Sequence, residues 1–369
     1  MTIYWIYITT CFVAALLALR TTPLIKSVAL KLKKFDAPGE RKIHQKPMVR
    51  LGGIAIFIST LIAIASSFWL FDISTVLSSL PSESQFEIWL LLMGSSGFFI
   101  IGLADDWFNL PAIYRLWMQS AVSAALWFFG LRIDTLFLPG IEPQSLGYMS
   151  LPVTVLWIAG VVNAVNWIDG LDGLAAGVCA ISSAVIVTLA ISTAQPMVAL
   201  AASALLGSLM GFLVYNYNPA EIFMGDGGSY FIGFMLAGLC ILGPQQIEIS
   251  SASLLPLLVL AVPVGDMTSV IAARLYQRRS PFSADNLHIH HRLLSKELSY
   301  KTVVWVMYIL AFATGSLALS LVGVVGFFTL FTGSAVLFGF SLWQFLDRFS
   351  AREMVQKPNS SVVVGKAIW

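Results

Sequence analysis

Trp89-Leu-Leu-Leu-Met-Gly-Ser-Ser-Gly-Phe-Phe-Ile-Ile-Gly-Leu-Ala104 carries no charge, and Asp105-Asp106 follow it directly. A helix needs about 20 mostly apolar residues to cross a bilayer core. The run therefore reads as a membrane span that ends on two carboxylates. Adjacent carboxylates repel each other and are costly beside hydrocarbon, and a cation removes that cost. The pattern recurs along the chain. Asp169 and Asp172 end another apolar run, and Asp226 sits in a glycine turn between two more.

Composition agrees with this reading over the whole chain. Of 369 residues, 58% are hydrophobic and 11% charged, with a mean hydropathy of +0.84. A soluble protein carries about 25% charged residues. The fold expected is an all-α polytopic membrane helix bundle of ten or eleven spans, near 3–20, 51–71, 87–104, 114–131, 150–165, 173–192, 197–214, 229–242, 252–273, 302–321 and 326–345. A single catalytic domain would cover 1–346, and 347–369 would be a polar, mobile tail. The first span lacks a small-residue cleavage site and reads as retained. No broad basic surface suggests nucleic acid. Cys11, Cys179 and Cys240 lie inside apolar runs and read as packing residues.

Twenty of the 21 Lys and Arg fall on one side of the eleven-span arrangement, Arg132 being the exception. That side is expected to be cytoplasmic, with the N-terminus outside and the C-terminus inside. Asp36, Asp105, Asp106, Asp169, Asp172, Asp226, Asp285 and the four histidines, His44, His288, His290 and His291, share it. Loops distant in sequence would converge there.

Each motif has a plainer reading beside the chemical one. Asp105-Asp106 can simply mark a helix end; with Asn109, which shares a helical face with Asp105, the pair can hold magnesium or accept a proton from a phosphate. Asn163, Asn166, Asp169 and Asp172 recur every three residues, a slowly winding helical stripe whose burial costs several kcal/mol if unsatisfied. The alternative is a helix-packing network. Gly170 and Gly173 permit a tight turn. In Phe223-Met-Gly-Asp226-Gly-Gly-Ser229, backbone N–H groups can cradle phosphate, Asp226 can hold a metal and Phe223 can stack on a base. His288-Ile-His290-His291 follows Arg278 and Arg279, and imidazoles beside arginines suit anionic oxygen better than zinc. The loop Asp36 to Gly53 can also be a basic patch on anionic lipid. Asp266, inside the ninth span, can line the site or join a polar network.

Together Asp105-Asp106, NAVNWIDGLDGL (163–174), FMGDGGS (223–229), SPFSADNLHIHHRLL (280–294) and the DAPGERKIH loop with Gly52-Gly53 resemble the polyprenyl-phosphate N-acetylhexosamine-1-phosphate transferases, in family order. Two positions depart from that pattern: Asn109 stands where the family often has a third aspartate, and Val49 where it often has proline. The resemblance implies transfer of a sugar-1-phosphate from a UDP-sugar to polyprenyl phosphate with release of UMP, and a need for Mg2+, with Mn2+ as a substitute. It implies Asp226 and Asp169 as metal ligands and Asp105 and Asp106 near the acceptor phosphate, one of them deprotonating it. Asn163, Asn166, Asp169, Asp172 and Phe223 fall near the nucleotide, with His44 in the matching first loop. His288, His290 and His291, with Arg278 and Arg279, fall near the diphosphate or sugar and supply positive charge.

The HIHHRLL form resembles the N-acetylglucosamine branch. The implied donor is UDP-N-acetylglucosamine, the acceptor undecaprenyl phosphate, and the product starts a cell-envelope glycan such as O-antigen. The setting is the bacterial cytoplasmic membrane with the active site on its inner face, and one face of the bundle could support a homodimer. The alternatives are a muramoyl-pentapeptide donor and, in another class, a secondary transporter. Transporters place key acids near the bilayer midplane, whereas these acids gather at one face.

Overall fold

A computed structural model describes residues 2–32, 48–70, 82–137, 140–243, 252–281 and 287–324, with residues 333 and 339. Among them the chain forms α1 (Thr2–Lys31), α2 (Gly52–Leu70), α3 (Ser82–Phe108), α4 (Ala112–Phe128), α5 (Ser150–Ile168), α6 (Leu174–Ser192), α7 (Pro196–Asn216), α8 (Gly225–Leu242), α9 (Leu254–Val259), α10 (Ala261–Tyr276), α11 (Ile289–Leu294) and α12 (Tyr300–Leu321). The only sheet among the described residues is a two-residue hairpin, β1 (Thr135–Leu136) with β2 (Gln144–Ser145). The protein is an all-α polytopic membrane bundle, as expected.

The span boundaries differ from the expectation in informative places. Eight described helices are long and apolar enough to cross a membrane. The span expected at 114–131 is α4, a helix of 17 residues. The span expected at 252–273 is broken at Leu260 into α9 and α10. Proline lacks an N–H and clashes with the preceding turn, and Pro263 stands just after this break. The span expected at 326–345 and the tail lie outside the described residues. The first span is longer than expected and runs through Pro23 to Lys31. A proline at 23 frees the carbonyl of Leu19, and the Tyr215 hydroxyl donates to it at 3.1 Å.

Helix α8 is the centre of the bundle. Every residue from Gly227 to Leu242 is buried, against α3, α5 and α2. Small residues allow this approach. A Cβ on Gly53 would lie 2.2 Å from the Gly228 Cα, and one on Gly102 would lie 2.2 Å from the Asp226 carbonyl oxygen. Phe98 stacks on Phe234 at 4.8 Å and Phe57 meets Phe231 edge-on at 5.3 Å. Outward, Trp5, Phe12, Trp117, Leu156 and Phe312 are exposed, a lipid-facing surface in a membrane protein.

One end of the bundle gathers the polar loops. Before α2, the backbone of Val49 to Gly53 pairs with 223–224: Phe223 N donates to Val49 O at 2.8 Å, Gly52 N to Phe223 O at 2.9 Å and Gly53 N to Met224 O at 2.7 Å. Lys26 of α1 pairs with Glu221 at 2.7 Å. The opposite end is closed by Trp127, which donates to Ser150 Oγ at 2.8 Å, and by Ser150, which donates to Asp134 at 2.9 Å.

Candidate active site

Three helix junctions meet at the polar end: α3 to α4, α5 to α6, and α7 to α8. The acidic pair at the end of α3 is held from both sides. Asp106 accepts the N–H of Asp226 and the N–H of Gly227, each at 2.9 Å. Helix N-termini leave such donors without intrahelical partners, and a carboxylate there also complements the helix dipole. Asp105 is 3% exposed. It accepts Leu110 N at 2.9 Å, Arg115 Nη1 at 2.6 Å and the Tyr230 hydroxyl at 3.3 Å. The pair thus fastens the end of α3 to the starts of α4 and α8.

This corrects one sequence expectation. The glycine turn at 225–229 is the first turn of α8, and two of the N–H groups expected to cradle phosphate hold Asp106 instead. Its glycines serve helix contact, as Gly53 and Gly228 show. Asn109 is corrected too: it is exposed, with φ of +50° where α3 stops. Asparagine tolerates that left-handed conformation, so here it ends a helix.

Asp226 Oδ1 accepts Asn166 Nδ2 at 2.6 Å, and Asn166 also reaches Ser229 Oγ at 3.0 Å. Asp105 and Asp226 stand near enough for their carboxyls to act on each other electrostatically. Asp169 follows α5 immediately as its C-cap. Burial first, and then the Asp226 carboxylate, push the Asp169 carboxyl well above the usual carboxylate range, with Arg50 opposing. Acids packed this closely need a proton or a cation between them.

The three-residue row does not form one stripe, because α5 ends at Ile168. Asn163 donates to Gln119 Oε1 at 2.6 Å in α4 and to the Ala159 carbonyl at 2.7 Å. Asn166 faces α8. Asp172 lies past the turn and accepts Asn218 Nδ2 and Ala220 N, both at 3.0 Å. The turn itself is as expected: Gly173 has φ of +76° and leads into α6.

The histidines lie beside this turn. A Cβ on Gly170 would stand 2.9 Å from His290 Nε2. His290 is 1% exposed, and neither ring nitrogen has a hydrogen-bond partner among the described residues. Burial first, and then the neighbouring His291, lower its pKa to about 4. His290 is therefore neutral at neutral pH, a hydrogen-bonding group rather than the cation the sequence suggested. His291 lies 4.3 Å from it, ring to ring, and His288 5.5 Å. Arg278 and Arg279 are exposed beyond α10. Phe223 is half-buried on the strap before α8, and His44 lies outside the described residues.

Four participants escaped the sequence reading. Arg115 and Tyr230 hold Asp105, Trp167 meets His288 edge-on, and Arg274 covers Trp167. Arg115 had a signal, as the only Lys or Arg between Arg50 and Arg132. Arg274 had none, because it sits in a basic cluster whose other members are exposed.

Magnesium takes one or two carboxylates together with substrate phosphates rather than a full protein cage. The described residues hold no group of three or more metal-ligating side chains. They do hold hard oxygen donors, Asp226 beside Asp105 and Asp169, whose mutual repulsion a divalent cation would relieve. The donor set fits magnesium.

Residues 88–244 match the family described as glycosyl transferase family 4. A relative from Bacillus subtilis (strain 168), named "Probable undecaprenyl-phosphate N-acetylglucosaminyl 1-phosphate transferase", is 35% identical over 83% of this chain and 83% of its own. A decaprenyl-phosphate N-acetylglucosaminephosphotransferase from Mycobacterium leprae (strain TN) is 30% identical over 80% of this chain and 79% of its own. A phospho-N-acetylmuramoyl-pentapeptide-transferase from Halalkalibacterium halodurans is 33% identical over 56% of this chain and 65% of its own. With its acids, glycines and histidines folded into one site, this chain belongs to glycosyl transferase family 4, among the polyprenyl-phosphate sugar-1-phosphate transferases.

Proposed function

We propose that this protein transfers N-acetylglucosamine-1-phosphate from UDP-N-acetylglucosamine to undecaprenyl phosphate, releasing UMP. The observation that carries the reading is the junction of Asp226, Asn166 and Asp105-Asp106, contributed by the ends of three separate helices. The B. subtilis and M. leprae relatives favour N-acetylglucosamine over a muramoyl-pentapeptide donor, because they align over more of the chain.

An oxygen of the acceptor phosphate attacks the phosphorus next to the sugar. A new P–O bond forms, the bond to the bridging oxygen breaks, and UMP leaves with that oxygen and its electron pair. Such transfers depend on positioning and charge neutralisation. Asp226 and Asp169 would hold magnesium, which when bound neutralises phosphate charge. Asn166 orients Asp226, while Asp105 and Asp106 fix the helix ends that carry it. His290, uncharged and without a hydrogen-bond partner among the described residues, can offer an N–H to a diphosphate oxygen. Arg278 and Arg279 add positive charge at the rim. The excess of basic residues at this end supports a location at the cytoplasmic face of the inner membrane, where the headgroup of a polyprenyl phosphate resides.

Membranes containing the protein, supplied with polyprenyl phosphate and a panel of UDP-sugars, test this. UMP release is expected with UDP-N-acetylglucosamine and magnesium, and lost with chelator. Release with UDP-N-acetylmuramoyl-pentapeptide alone would move the protein to the other branch. No release with any donor would refute the reading.

A further inference from the structure

Asp266 is 0% exposed in α10 and takes no part in the carboxylate cluster described above. Its Oδ2 lies 2.7 Å from His288 Nδ1, and its Oδ1 accepts the Ile289 N–H at 2.6 Å. An ionised carboxylate only accepts, so the hydrogen of this bond sits on Nδ1 and Nε2 is left for another partner. The ring is fixed on its other sides as well. Trp167 meets it edge-on at 5.7 Å, His290 stacks on it at 5.5 Å and His291 lies 6.3 Å away. Trp167 is itself covered by the Arg274 guanidinium, 5.0 Å from the ring centre, and Arg274 donates to the Pro281 carbonyl.

Trp167 neighbours Asn166, which holds Asp226. One turn of α5 thus joins the carboxylate cluster to the histidines. A buried carboxylate inside an apolar bundle is costly unless paired, and here its partner is an imidazole at the site.

We propose that Asp266 is a positioning residue: it fixes the tautomer and ring plane of His288 so that the Nε2 lone pair accepts a hydrogen bond from a hydroxyl of the nucleotide-sugar. The substrate part rests on the function proposed above. The carboxylate–imidazole geometry does not, and it can be tested by itself.

Two measurements decide it. Nitrogen-15 NMR of histidine-labelled protein, with His288 assigned through His288→Gln, reports the tautomer without turnover. The Nδ1–H form is expected in the intact protein; an Nε2–H form would overturn the proposal. In the UMP-release assay, Asp266→Asn is expected to lower kcat about ten- to a hundredfold, the usual cost of losing a partner that orients a ligating imidazole. KM for the UDP-sugar should stay within about threefold on this account, since an orienting contact acts on the transition state. In the double variant with His288→Ala, kcat should fall no further than with His288→Ala alone. Additive losses, or a rise in KM with kcat unchanged, would overturn the proposal. If the intact protein releases no UMP, the proposed function fails while the NMR result still judges the Asp266–His288 pair.

Discussion

Asp226, Asp106 and His290 illustrate how differently three polar side chains are used within one site. Asp226 has one oxygen held by Asn166 and stands among other acids. Asn166→Ala is expected to lower activity about ten- to a hundredfold, because the partners that orient a metal ligand carry that much. Titrating magnesium against initial rate should show most of the loss as weaker apparent metal affinity. Asp106 instead closes the start of α8. Asp106→Ala orphans two N–H groups at about 1–3 kcal/mol per buried donor, so thermal melting in detergent should fall as well as activity. His290 has a pKa lowered to about 4, below the ordinary value of about 6.5. Between those pH values the unfolded chain binds a proton that the folded protein refuses. The stability linked to neutral His290 is therefore complete above about pH 6.5 and lost as pH falls toward 4. His290→Gln should flatten that acid limb in melts measured across pH 4–7.

At the scale of elements, glycine contacts set where the helices stand, and the helices set where the acids stand. A methyl group at 102 would meet the backbone of Asp226 itself. Gly102→Ala should press α3 away from α8, and a shift of about 1 Å at a reacting centre costs on the order of a hundredfold. The expected result is UMP release reduced to that extent with expression in the membrane retained; unchanged turnover would show that α3 and α8 tolerate separation. This dependence was only half visible in the sequence. The glycines of 225–229 were conspicuous, yet their purpose was misread, because a phosphate cradle and a close helix crossing require the same missing Cβ. The polar row at 163–172 was misread for a related reason. Its spacing describes a stripe only while the helix lasts, and α5 stops at Ile168. Asp266 was visible as an acid in an apolar run, but its partner lies 22 residues ahead in the chain, across a loop whose path the sequence does not state.

For the molecule as a whole, membrane insertion and the gathering of acids at one end were legible from apolar periodicity and basic-residue placement. Both depend on composition along the chain rather than on particular contacts. The orientation across the bilayer makes its own prediction. In a protein freed of its native cysteines, Tyr148→Cys at the hairpin end should react with an impermeant maleimide in intact cells. Tyr276→Cys at the site end should react only after permeabilisation. Both tyrosines are highly exposed, so accessibility reads sidedness.

The most direct test of the central claim is UMP release from UDP-N-acetylglucosamine by Asp226→Asn, in membranes with polyprenyl phosphate and magnesium. The variant should reach the membrane at the level of the unmodified protein and turn over at least about a hundredfold more slowly, the scale of losing a principal electrostatic contact. Turnover at the unmodified rate would contradict the assignment of Asp226 to the reacting phosphates.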